Sequence, residues 1–145
     1  VGVRIRVYVV ADQSIYRAVL RQQLDGRRCT LVGHSGSLSA ALPALGERSA
    51  DVLLLDATLF DEDLGDKVRL VRRLSPDTHV LVLAHHADPE QVEAALEAGA
   101  DGYACKDGCM EQLDLAIESA HRGVPFVSAE VCRQLHARRQ LPPAV

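Results

Sequence analysis

The sequence predicts an α/β fold in which a parallel sheet is covered by helices on both faces. Two observations carry this. Short apolar, β-branched segments alternate five times with segments of helical periodicity. The apolar segments in the middle of the chain are continuous rather than alternating, as strands buried on both faces must be. The short connections between segments fit the same architecture.

The elements follow in order. Residues 4–10 (RIRVYVV) are β-branched and run up to Asp12, a first strand. Residues 14–24 place Ile15, Val19, Leu20 and Leu24 at helical spacing. Residues 30–33 form a short strand, and residues 38–48 a helix opened by Ser37 or Ser39 as cap. Residues 51–56 (DVLLLD) are an apolar run closed by an acid. Residues 63–74 are helical and stop at Ser75 and Pro76. Residues 79–83 form the next buried strand, residues 88–98 a helix closed by Gly99 as C-cap, and residues 102–105 a short strand. Residues 109–122 are a helix followed by Gly123, residues 124–128 are extended, and residues 129–139 form a last helix before Pro142 and Pro143. The expected arrangement is a flavodoxin-like, doubly wound sheet of five strands in the order 2-1-3-4-5, with a C-terminal linker helix. Residues 1–125 are expected to form the domain. Residues 126–145, ending in LPPAV, read as a linker helix and the start of an interdomain connection.

Composition narrows the function. Lys and Arg total 16 against 20 Asp and Glu, a net charge of −4, which argues against a nucleic-acid binder. No apolar run reaches the ~18 residues of a membrane span, and the first residues read as a strand rather than a signal peptide. The four cysteines, Cys29, Cys105, Cys109 and Cys132, are scattered in apolar or helical contexts and are expected to be reduced, in a cytoplasmic protein. A chain that begins at Val1 suggests a piece of a longer protein.

The chemistry gathers at the strand ends. After the first strand stand Ala11 and Asp12, after the third Asp56, after the fourth Ala84 and after the fifth Lys106. In the 2-1-3-4-5 order these ends lie side by side at the switch point. Two carboxylates and an ammonium there suit Mg²⁺ or a phosphoryl group transferred to one carboxylate. Each residue has a plainer reading. Asp56 could cap a turn, Asp12 could cap the first helix, and Lys106 could be a surface lysine.

The segments VRIRVYVVADQSIYRAVLRQQL, DVLLLDATLF, HVLVLAHHADPEQVEAALEAGADGYACKD and RGVPFVSAEVCRQL resemble the receiver domain of bacterial response regulators, of the LuxR (NarL/FixJ) type, over residues 4–138. The resemblance implies that Asp56 accepts a phosphoryl group from a histidine kinase. It implies that Asp12, Asp56 and the backbone carbonyl of Thr58 bind Mg²⁺, that Lys106 contacts the phosphoryl group, and that Tyr103 is the aromatic that changes rotamer on activation.

The departures are equally specific. Ala11 replaces one of two acids, Ala84 replaces a serine or threonine, and Leu59, Phe60, Asp61, Glu62 and Asp63 replace a loop with proline and glycine. Ala11 should weaken Mg²⁺, a hard cation that needs several oxygens. Ala84 removes a hydroxyl that would bond a phosphoryl oxygen, a contact of roughly 1.5–3 kcal/mol, and with it the usual link to Tyr103. The expected function is the signal-input domain of a LuxR-type transcriptional regulator, controlled independently of phosphorylation. A helix-turn-helix beyond residue 145 would make any DNA contact. The alternative is a small-molecule-binding or constitutively dimerising module of the same fold. Homodimerisation is expected to use the helices at 88–98 and 109–122. No enzyme is expected, because there is no catalytic triad, Gly-rich phosphate loop or zinc signature. His85 and His86 read as a solvated loop, and Cys105 as a core residue, with redox sensing as its rival. Asp61, Glu62, Asp63 and Asp66 read as a solvated acidic helix start, with a replacement metal oxygen as the rival. Arg133, Arg138 and Arg139 read as a solvated face.

Overall fold

A computed structural model of the chain describes residues 4–11, 28–48, 50–59, 63–84, 88–105, 113–127, 132–133 and 136. The strands are β1 (Ile5–Val10), β2 (Cys29–Ser35), β3 (Val52–Asp56), β4 (His79–Ala84), β5 (Gly102–Cys105) and β6 (Phe126–Val127). The helices are α1 (Leu38–Arg48), α2 (Leu64–Leu74), α3 (Pro89–Glu97) and α4 (Leu113–His121), with a 3-10 turn at Ala57–Leu59. The expected helix at 14–24 lies outside the described residues, as do residues 106–112 and most of the tail; Cys132, Arg133 and His136 are helical.

All strand pairs are parallel, in the order β2-β1-β3-β4-β5-β6. The sheet therefore has the expected order and gains a sixth strand. Residues 124–128 were expected to be extended, and two of them, Phe126 and Val127, pair with Gly102 and Tyr103. A two-residue strand is too short to show any periodicity in sequence. The second strand is longer than its β-branched core suggests, because a bulge opposite Val7 and Tyr8 lets it run past Gly33 to Ser35.

Local chemistry sets the helix ends. The Asp88 carboxylate accepts the Glu90 amide at 3.1 Å, and Pro89 occupies the first helical position of α3. Gly99 (φ +108°) ends α3 in a paired cap: its amide reaches the Leu96 carbonyl and that of Ala100 reaches Ala95. Gly123 (φ +72°) repeats the device after α4, through bonds from Gly123 to Ala120 and from Val124 to Ser119, and sends the chain back beside β5. Pro43 sits inside α1, a residue that helical spacing alone passes over.

Strand alternation divides the core in two. Tyr8, Val10, Leu53, Leu55, Val80, Val82, Ala84 and Tyr103 face one side and pack with residues of α1, α2 and α3, among them Ala41, Val68, Val71, Val92 and Ala95. Val7, Val9, Val52, Leu54, Leu81, Leu83 and Ala104 face the other and pack with Leu113, Ala116, Ile117 and Ala120 of α4. Burial of both faces is what the continuous apolar strands demanded. No helix among the described residues is long and apolar enough to cross a membrane.

Candidate functional site

The parallel register brings the carboxyl ends of β1, β3, β4 and β5 to one edge. Val10 lies opposite Leu55, Asp56 opposite Leu83, and Ala84 opposite Cys105. Ala11, Asp56 and Ala84 are all buried there. Asp12 and Lys106 lie outside the described residues; each is the chain neighbour of a described residue at this edge, Ala11 or Cys105.

Asp56 is 1% exposed and closes β3. Its Oδ1 accepts two hydrogen bonds from one residue: the Thr58 amide at 3.0 Å and the Thr58 hydroxyl at 2.7 Å. The carboxylate therefore caps the 3-10 turn at Ala57–Leu59, the plainer reading of this acid, while it also sits at the switch point. The turn explains the pairing: one residue after Asp56 the chain bends, and the side chain two positions on comes back over the carboxylate. Sequence reasoning gave Thr58 only a backbone role, because the hydroxyl contact exists only once the turn is folded.

Ala84 (3% exposed) and Tyr103 (0%) lie on the same face in one apolar cluster. Tyr103 pairs with Val82, two residues before Ala84 on the adjacent strand. Its hydroxyl lies 3.4 Å from Oε1 of Gln91 on α3, a long contact that sequence gave no reason to expect.

The donor set for a cation is thin. Among the described residues no group of three or more His, Cys, Asp and Glu side chains could hold a metal. Mg²⁺ accepts one or two carboxylates and completes its shell with water. Asp56 fits one such position, Ala11 offers only a methyl group, and Asp12 lies outside the described residues.

The other candidates separate cleanly. Asp63 faces Lys67 at 3.9 Å and Asp66 pairs with Arg69 at 2.8 Å, exposed contacts of a solvated helix start. Asp61, Glu62, His85, His86, Cys109, Arg138 and Arg139 lie outside the described residues, and Arg133 is exposed. Cys29 is fully buried, and burial first, then Asp114 and Glu118, pushes its thiol up to about 11, so it is inert near neutrality. At the opposite sheet edge Asp101 forms a hub. Its Oδ2 accepts the Val80 amide at 2.9 Å and lies 3.6 Å from Arg72, and its Oδ1 lies 3.2 Å from His79.

Residues 7–118 match the family model of the response regulator receiver domain. The chain belongs to that family. The receiver is 25% identical over 140 residues to the response regulator UvrY of Escherichia coli strain K12, covering 96% of this chain and 64% of UvrY. It thus spans just under two thirds of that relative. A LuxR-family DNA-binding response regulator from Silicibacter pomeroyi is similar at 28% identity and TM-score 0.71, over 86% of this chain and 98% of that one. A LuxR-family two-component response regulator from Aurantimonas sp. superposes at TM-score 0.84 and 24% identity, over 94% of this chain and 98% of that one, a likeness in fold. The receiver's relatives thus include a regulator of the LuxR family that the motifs resemble, alongside UvrY, and receivers of this family are regulatory modules.

Proposed function

We propose that this receiver is the signal-input domain of a LuxR-type transcriptional regulator whose output is set largely without phosphate. The observation that carries this is the pair Ala84 and Tyr103. Tyr103 is fully buried beside a strand end whose side chain is a methyl group. No hydroxyl stands at position 84 to exchange a bond with a phosphoryl oxygen, so the position of the ring has no direct tie to the acceptor.

Asp56 remains as the acceptor position, Lys106 as the phosphoryl contact, and Asp12, Asp56 and the Thr58 carbonyl as the Mg²⁺ set, with binding weakened by Ala11. Ala84 and Tyr103 form the altered switch. The receiver runs from residue 1, past the expected boundary at 125, through β6 at Phe126–Val127, which pairs with β5, and the residues that follow are the linker towards a helix-turn-helix domain, which alone would contact DNA. A histidine kinase and a second copy of the receiver are its proposed partners, in the cytoplasm.

The test is intact mass after incubation with acetyl phosphate and Mg²⁺, read beside a 19F signal from fluorotyrosine at Tyr103. Mass gain on the wild type, none on Asp56→Asn, and a Tyr103 signal that does not move with the gain support the reading. A signal that shifts with phosphorylation refutes phosphate-independent output.

A second reading, a small-molecule-binding module, has its own observation. A groove of about 280 Å³ lies between α1 and α2, lined by Ser37, Leu38, Leu42, Leu59, Lys67 and Leu70, against the turn that follows Asp56. A thermal-shift screen of metabolites separates it from the first reading.

A further inference from the structure

We propose that the groove between α1 and α2 is a binding site for a small aliphatic carboxylate. This deepens the second reading above, a small-molecule-binding module, and rests on it.

The topology puts two helix starts side by side. α1 joins β2 to β3 and α2 joins β3 to β4, and these strands are parallel, so both helices run back from the carboxyl edge of the sheet. Ser37, Ser39 and Lys67 therefore stand near that edge, and Leu42 and Leu70 follow about one turn further along their helices. The groove between them has a volume of about 280 Å³. That is about nine water volumes, room for a ligand of roughly ten heavy atoms.

The lining divides by chemistry. Among the described residues its apolar side chains are all leucines, with Leu38 buried and Leu42, Leu59 and Leu70 half-buried. Half-buried leucines around a cavity gain by being covered, and with no aromatic ring among them they suit an alkyl chain. Lys67 is the one charged side chain among the described lining residues. Its Nζ lies 3.9 Å from Oδ2 of Asp63, a long pair between partly exposed side chains, and Asp63 is not part of the lining. The ammonium can turn to a carboxylate in the groove and lose little by it. The Ser37 and Ser39 hydroxyls, 3.4 Å apart, add donors near the same edge. That of Ser37 accepts the Ala40 amide at 3.3 Å and still has its proton to give. A single cation with two hydroxyls at one end, and leucines along the rest, selects an amphipathic monoanion over a polyanion or a cation. Leu59 ends the turn that follows Asp56, so a ligand in the groove lies against the segment that leaves the candidate site.

The test titrates sodium octanoate, a carboxylate of that size, into the whole chain by calorimetry, with octanol as the neutral control. Sub-millimolar binding of octanoate at a single site is expected. Lys67→Met keeps most of the stem and removes the charge. It should weaken octanoate about fivefold and leave octanol within about twofold. Lys67→Arg should keep octanoate within about twofold of wild type, because a guanidinium also pairs with a carboxylate. Ser39→Trp fills the groove from α1 and should abolish binding of both probes; Leu70→Phe narrows it from α2 and should weaken both. Circular dichroism checks that each variant is folded. Octanoate binding that Ser39→Trp and Leu70→Phe leave unchanged overturns the site. Binding lost in Ser39→Trp but unmoved by Lys67→Met overturns the carboxylate and leaves the groove as a small-molecule site. No octanoate binding to the wild type overturns the inference, and the module reading then stands or falls with the metabolite screen.

Discussion

Replacing Asp101 by alanine removes one carboxylate from three contacts at the base of β4 and β5. The Val80 amide, which it accepts at 2.9 Å, belongs to a residue with no exposed surface. Losing the acceptor strands that donor, at a cost of roughly 1–3 kcal/mol. The contacts to Arg72 at 3.6 Å and His79 at 3.2 Å involve partly exposed side chains and add less than about 1 kcal/mol. The expected loss is about 2–3 kcal/mol, which for a domain of this size lowers the melting temperature by roughly 5–10 °C. Asp101→Asn keeps an oxygen for the Val80 amide and loses only charge, so its expected cost is about 1 kcal/mol or less. Urea titrations of both variants, compared at equal m-values, measure the difference. A cost for Asp101→Ala no larger than for Asp101→Asn would show that the Val80 amide finds another partner, and would refute the reasoning.

Three further outcomes are expected. A Cβ at Gly102 would lie 2.7 Å from the Phe126 carbonyl oxygen and 2.9 Å from a Leu81 methyl, so Gly102→Ala should cost about 1–3 kcal/mol and weaken amide protection in β6, read by hydrogen exchange. Cys29 keeps its proton to about pH 11 when folded and to about 8.5 when unfolded. Its contribution is therefore whole below the unfolded value and is lost as pH rises towards 11. Cys29→Ala should flatten the stability loss over that alkaline window by about 2 kcal/mol relative to wild type, measured by denaturation at each pH. Ala84→Ser restores a hydroxyl at the β4 end; it should raise acetyl phosphate labelling of Asp56 about tenfold, read by intact mass, and an unchanged rate would show that position 84 is out of reach.

Among the described residues the strands and helices were legible because their signals are local. The run at 51–56 becomes β3, and the caps expected at Asp88–Pro89 and Gly99 hold in bonds that can be named. β6 was legible only as an extended segment at 124–128, not as a strand of the sheet, since two residues show no period and their pairing depends on a turn at Gly123 set 21 residues after β5 begins. The same divide runs through the site. Asp56 stands out as an acid closing an apolar run. The Thr58 hydroxyl does not, because its contact exists only in the folded turn. Asp101 was invisible for a stronger reason: its partners at 72, 79 and 80 come from α2 and β4 and meet it only across the sheet.

The two-sided core also bears on how a signal could travel. Along β3, Leu53 and Leu55 face the α1–α3 side, and Leu54 faces the α4 side. Alternation assigns position 56 to the face of Leu54. Tyr103 lies on the opposite face, with Ala84. A phosphoryl group on Asp56 and the tyrosine ring are thus separated by the sheet itself, and the β4 end is the short way around it. A hydroxyl at position 84 could hold an oxygen on one side and make room for the ring on the other. A methyl group there packs into the apolar cluster and bonds to nothing. On the proposed reading of Asp56 as acceptor, the methyl group at this one position would leave no bond to make the burial of Tyr103 depend on the chemistry of Asp56.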